Sequence, residues 1–142
     1  MQVKLKLFDK SLPVPKYQTE KAAGVDLYSR VDAEVPPHQV SIIPLNVALQ
    51  VPDDHFVLMT ARSSLHKRGL MMANGVGIGD ADYCGNDDEY HAALYNFSSQ
   101  TVQIRKGDRL VQIIILPRPK VEFELVKKLA APNRGGFGST GR

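Results

Sequence analysis

Apolar and polar residues alternate with a period of two along much of the chain. Val3, Leu5 and Leu7 are separated by Lys4 and Lys6, Val47, Leu49 and Val51 by Ala48 and Gln50, and Val121, Phe123 and Leu125 by Glu122 and Glu124. Successive side chains of an extended backbone point to opposite faces, so each stretch predicts a strand with one buried face. The run from Leu110 to Leu116 is apolar except for Gln112 and rich in β-branched residues. It predicts a strand buried on both sides, inside a sandwich or at a subunit contact. Turn-forming residues interrupt these runs at Pro13 and Pro15, Pro36-Pro37, Pro52-Asp53-Asp54, Asn86-Asp87-Asp88 and Lys106-Gly107-Asp108, the rhythm of a sandwich or jelly roll. The expected fold is all-β. One short helix is expected to begin near Ser63 or Ser64, with a hydroxyl to cap it, and to stop at Gly69. No internal repeat is visible.

At 142 residues, 43% of them hydrophobic and 23% charged, the chain suits one core and is too short for two. The expected division is a barrel domain over residues 1–130 and a flexible, glycine-rich arm over 131–142, whose few apolar groups do not offset the entropy of ordering it. No apolar run approaches the length of a bilayer, and MQVKLKLFDK lacks the basic start and apolar stretch of a signal peptide. A cytoplasmic protein with no membrane partner is therefore expected. Cys84 is the only cysteine, and His38, His55, His66 and His91 show no zinc-ligand spacing, so neither a disulfide scaffold nor a structural metal is indicated. The net charge of +3 suits a small anionic ligand but is modest beside the basic faces of nucleic-acid binders, and no nucleic-acid partner is expected.

Five polar or glycine-rich islands lie between the strands. Ala23-Gly-Val-Asp-Leu27 sets a carboxylate, Asp26, after a small flexible pair, which on its own also fits a strand-edge turn. Ala61-Arg-Ser-Ser-Leu65 brings the guanidinium of Arg62 and the hydroxyls of Ser63 and Ser64 to the expected helix start, where they suit phosphate oxygens or an ordinary cap. In Asn74-Gly-Val-Gly-Ile-Gly-Asp-Ala-Asp-Tyr-Cys-Gly85, glycines at 75, 77 and 79 would let a hairpin backbone approach a flat ligand. Asn74 can pair with a base edge. Asp80 and Asp82, two apart, would point the same way in an extended segment, one serving as general base for a water. Lys106-Gly-Asp-Arg-Leu-Val-Gln112 leads into the apolar strand, where Gln112 needs a phosphate or a backbone group as partner. Asn133-Arg-Gly-Gly-Phe-Gly-Ser-Thr-Gly141 combines an Arg, an aromatic ring and two hydroxyls with flexible glycines, and either folds over a nucleotide or is a linker.

Together, in this order and spacing from residue 22 to 141, the islands resemble the five motifs of the homotrimeric dUTPase family. The resemblance implies a jelly-roll-like β-barrel, a trimer with active sites between subunits, and hydrolysis of dUTP to dUMP and pyrophosphate, which clears the nucleotide pool and supplies dUMP for dTMP synthesis. It implies that Asp80 activates the water attacking the α-phosphorus. Asn74 and the hairpin backbone from Gly75 through Ile78 to Tyr83 would read uracil, with Tyr83 packed under the deoxyribose and leaving no room for a 2′-hydroxyl. Arg62, Ser63, Ser64 and Gln112 would bind phosphates, with Asp26 ordering the arrangement from behind. Arg134, Phe137, Gly138, Ser139 and Thr140 would close the arm over the substrate, Phe137 stacking on the base. Mg2+ would be held by the substrate phosphates and water and not directly by the protein.

Three departures from the family pattern stand out. Gly79 occupies a slot that usually holds Ile or Val and predicts a looser hairpin; Cys84 stands where Arg or Gln is usual; and Asn86-Asp-Asp-Glu-Tyr90 resembles a small acidic insertion, read as a solvated turn or else a metal or subunit-axis contact. Two other activities fit parts of the sequence. A dCTP deaminase shares the Arg-Ser-Ser segment but needs a glutamate near Ala93, on a stretch from His91 to Tyr95 that carries no acid. A regulatory protein that binds dUTP with little or no turnover would keep the same residues, and so would a purely structural trimer.

Overall fold

The computed structural model describes residues 1–136. Its strands are β1 (Lys4–Leu7), β2 (Val25–Tyr28), β3 (Ala33–Val35), β4 (Val40–Pro44), β5 (Val47–Gln50), β6 (His55–Ala61), β7 (Leu70–Met72), β8 (Gly77–Gly79), β9 (His91–Asn96), β10 (Val102–Ile104) and β11 (Arg109–Pro117). One turn of 3-10 helix, Leu65–Arg68, lies between β6 and β7. All strand pairs are antiparallel, in the orders β1-β5, β10-β3, β2-β11-β6-β8 and β4-β9-β7. The architecture is the jelly-roll-like β fold expected. Among the described residues no helix is long and apolar enough to cross a membrane.

The core forms where the alternating faces meet. A β-bulge between Arg109 and Val111 interrupts the alternation of β11. Beyond it Val111 and Ile113 are buried while Gln112 and Ile114 are half-covered, short of the full cover on two sides that the apolar run predicted. Leu110 and Val111 are both fully buried. Each contributes roughly 1.5–3 kcal/mol of burial. Leu27, Ile43, Leu45, Val47, Val57, Leu70 and Leu94 complete the centre. From Ile114 onward β11 is only half-covered, because its flanks there are β6 alone. Asn96 is fully buried among these side chains, and both ends of its amide are used: Nδ2 donates to the carbonyls of Val35 and Gln100, while Oδ1 accepts from Ser98 N and Oγ.

Two expectations need correction. The stretch 121–125 forms no strand, and Phe123 and Leu125 are 96% and 101% exposed. Alternation signals a face that gains by burial, but a strand also needs a partner, and among the described residues this stretch pairs with none. The helix expected from Ser63 or Ser64 is a single 3-10 turn whose N-cap, Ser64, makes no side-chain capping bond. Gly69 does end it, in the left-handed conformation at φ 76°.

Candidate active site

β8 is an edge strand paired with β6, and no second strand within 75–83 completes the expected hairpin. Its glycines serve the interior more than a ligand. A side chain on Gly77 would meet Met59 Cε at 2.8 Å, and one on Gly79 would collide with the Tyr90 hydroxyl and meet its ring at 2.7 Å. Ile78, between them, points outward and is exposed. The looseness expected at Gly79 is therefore absent: Tyr90, 5% exposed, fills the space a branched side chain would take, and a branched residue at 79 requires that ring to leave.

Beyond β8 the chain folds into a turn, Tyr83 N–H donating to the Asp80 carbonyl at 3.1 Å. The segment from Asp80 to Tyr83 is thus a turn and not the extended stretch expected, and Asp80 and Asp82 both border a concavity with Asp53 and Arg118. Asp80 is exposed, and its carboxylate makes no hydrogen bond or ion pair with the described residues, although it borders a cavity of about 330 Å³ lined also by Asn74, Ile78, Tyr83, Tyr90 and His91. This volume lies within the range of small-molecule sites. Tyr83 is held from behind. Its hydroxyl donates to the Glu89 carbonyl at 2.9 Å, and its ring meets Tyr90 edge-on at 5.5 Å. Burial and the nearby Asp88 and Glu89 carboxylates raise its phenol above the ordinary tyrosine value.

Glu89 anchors that platform. Its carboxylate takes two bonds from Arg30, at 2.8 and 2.9 Å, and one from the Asn46 backbone N–H at 2.9 Å. Asn46 is itself buried with φ 70°, a conformation asparagine tolerates better than most residues. The 86–90 segment is therefore a solvated turn only at Asn86 and Asp87, while its end, Glu89 and Tyr90, belongs to the interior. Among the described residues no group of three or more His, Cys, Asp and Glu is placed to hold a metal ion.

A second concavity gathers Gly24, Asp26, Arg62, Ser63, Arg109 and Gln112. Asp26 sits between two guanidinium groups, accepting from Arg62 Nε at 3.0 Å and Arg109 Nη1 at 3.2 Å. Two cations against one carboxylate leave local positive charge, and the planar forks are fixed in place for an anion. Gln112 Nε2 donates to the Ala61 carbonyl at 3.3 Å, satisfying the partner that its position in an apolar strand demanded. Ser63 and Ser64 are exposed and spend no hydroxyl on capping, which leaves both available. Ser64 adjoins this concavity without lining it.

The sequence-predicted residues thus fall into two groups that one chain does not join. Asn74, Ile78, Asp80 and Tyr83 meet at the β8 edge, with Gly75 one residue from Asn74, while Asp26, Arg62, Ser63 and Gln112 meet on the β2 side of the same sheet. Arg134 is exposed and lies with Lys128, Leu129 and Asn133, at neither cavity. Phe137, Gly138, Ser139 and Thr140 fall outside the described residues. Sequence reasoning missed Arg30, Glu89, Tyr90 and Arg109. Of these only Arg109 carried a signal, as a second basic residue in the Lys106–Gln112 island.

Comparison with known proteins gives one answer. The family model described as dUTPase matches residues 10–141. The deoxyuridine 5′-triphosphate nucleotidohydrolase of Anaplasma marginale is 40% identical over 92% of this chain and 90% of its own, and that of Desulfitobacterium hafniense is 41% identical over 94% and 90%. Among solved structures, the dUTPase of Streptococcus mutans superposes with a TM-score of 0.76 at 28% identity, over 84% of this chain and 98% of that one. A dUTPase of Staphylococcus bacteriophage 80alpha, solved with dUpNHpp, reaches 0.86 at 22% identity over 99% and 98%, a likeness of fold.

Proposed function

The chain belongs to the dUTPase family, and from that premise we propose that it hydrolyses dUTP to dUMP and pyrophosphate in a site built from its two groups of residues, each contributed by a different copy. The observation that carries this reading is Asp80: an exposed carboxylate with no partner among the described residues, at the mouth of a cavity that Asn74 and Tyr83 also line. A catalytic base needs that freedom, since a carboxylate already paired has less capacity for a proton.

Asp80 accepts a proton from the water that attacks the α-phosphorus. The new bond joins the water oxygen to that phosphorus, and the bond to the bridging oxygen breaks in line, releasing pyrophosphate. Arg62, Arg109, Ser63, Ser64 and Gln112 of a second copy hold the phosphates, with Asp26 keeping the two guanidinium groups aligned. Their role is positioning and charge neutralisation, which dominate phosphoryl transfer. Asn74 and the β8 backbone read the uracil edge, and a mismatched polar edge, as in dCTP, leaves buried groups unpaired. Thymine is excluded at its methyl group. Tyr83 packs under the deoxyribose.

The separation of the two groups and the uncovered apolar side chains of Phe123, Leu125 and Leu129 both support a homotrimer with shared sites, closed by an arm that brings Arg134, Phe137, Gly138, Ser139 and Thr140. The barrel is assigned to residues 1–130 and the arm to 131–142, and the protein is placed in the cytoplasm. The donor set fits Mg2+ carried on the substrate: Arg, Ser and Gln side chains suit phosphate oxygens and leave the metal to the substrate, and a bound ion would supply charge neutralisation there. β9 carries no carboxylate, with Ala93 at the deaminase position, and Gly79, whose departure from the family pattern keeps a slow regulatory protein open, is tightly packed.

Pyrophosphate release from dUTP, dCTP, dTTP and UTP, each with Mg2+ and with chelator, tests the proposal. Rapid metal-dependent release from dUTP alone is expected; binding of dUTP without release would replace the enzyme by a sensor.

A further inference from the structure

The Tyr90 hydroxyl is in an unusual position. The residue is 5% exposed, and its hydroxyl makes no hydrogen bond with the described residues. Yet no side-chain polar atom among them is both sealed from solvent and unpaired. The hydroxyl therefore opens on the cavity that the ring lines with Asn74, Asp80 and Tyr83. It lies against the backbone of Gly79, one residue before Asp80, in the space left by the missing side chain. A nearly buried hydroxyl aimed into a cavity loses hydrogen bonding unless an occupant supplies it.

We propose that Tyr90 is a specificity-determining residue whose hydroxyl bonds the 3′-hydroxyl of the bound deoxynucleotide. The inference rests on reading this cavity as the nucleoside site. Asn74 marks the base end of the strand, and Gly79 lies two residues beyond Gly77, roughly 6.6 Å further along an extended backbone. At that end Tyr83 stands edge-on to Tyr90, so the hydroxyl meets the sugar and not the base. A 2′-deoxyribose whose 5′ oxygen is esterified keeps only two other polar groups, the ring oxygen and the 3′-hydroxyl, and only the latter both gives and takes a hydrogen bond. Burial, with the neighbouring Tyr83 and Asp80, pushes the Tyr90 phenol up to about 12, so it stays protonated and can donate at neutral pH. A β-branched residue at 79 would occupy this place with carbon, and the exchange of side-chain volume between 79 and 90 is what brings a polar atom there.

The test is a cycle between Tyr90→Phe and 2′,3′-dideoxyuridine 5′-triphosphate. The ring stays, so the fold is kept, and an unchanged unfolding temperature checks it. With dUTP the variant is expected to raise KM about fivefold to tenfold, the effect of one hydrogen bond, with a smaller change in kcat. With the dideoxy analogue, wild type and variant should agree within about twofold. Equal KM for dUTP in both proteins, or the same rise for both substrates, would overturn the assignment. Asp80→Asn run alongside separates the failures: normal turnover in that variant removes the cavity from the chemistry, whereas loss of turnover with an unaltered Tyr90→Phe KM overturns Tyr90 alone.

Discussion

Asp80→Asn is expected to lower kcat for dUTP by roughly 10²–10⁴-fold, the range a positioned general base contributes, while the dissociation constant for dUTP stays within a few fold. Asn matches the shape and keeps an oxygen to orient water but cannot take the proton. Because the Asp80 carboxylate pairs with none of the described residues, its loss orphans no buried cation, and stability should barely move. Single-turnover rates and equilibrium titration with dUTP check the two halves. Turnover at the wild-type rate removes Asp80 from the role assigned here.

Deleting residues 133–142 should reduce kcat/KM about a hundredfold. Arg134 on phosphate and Phe137 on the base together would supply on the order of 2–4 kcal/mol, from one charge-assisted bond and one aromatic contact. Residues 131–136 are exposed and border neither half of the site, so their removal should leave the unfolding temperature nearly unchanged. Steady-state kinetics and a melting curve on the truncated protein suffice, and full activity there would show the arm to be dispensable.

Much of the barrel was legible because β1, β5 and β11 each bury at least one face against partners in the same chain. The stretch 121–125 has the same alternation and no strand, since the pattern records what a face needs and not where its cover lies. In the proposed site, the residues that the sequence offered by type and local spacing were legible: Asp80 three residues before Tyr83, and Arg62 beside two serines. What supports them was not. Glu89 is held by Arg30 from 59 positions away, and nothing local distinguishes it from the acidic residues before it. Gly79 was read as slack because its partner in volume, Tyr90, lies eleven positions on, in the segment just before β9. Glycine reports only that a side chain is missing; the fold decides what fills the gap.

The central claim is that water, activated at Asp80, attacks the α-phosphorus of dUTP. Hydrolysis in water enriched with oxygen-18, followed by mass spectrometry of both products, tests it directly. One labelled oxygen in dUMP and none in pyrophosphate is the predicted result; label in pyrophosphate would place the attack on the β-phosphorus and contradict it.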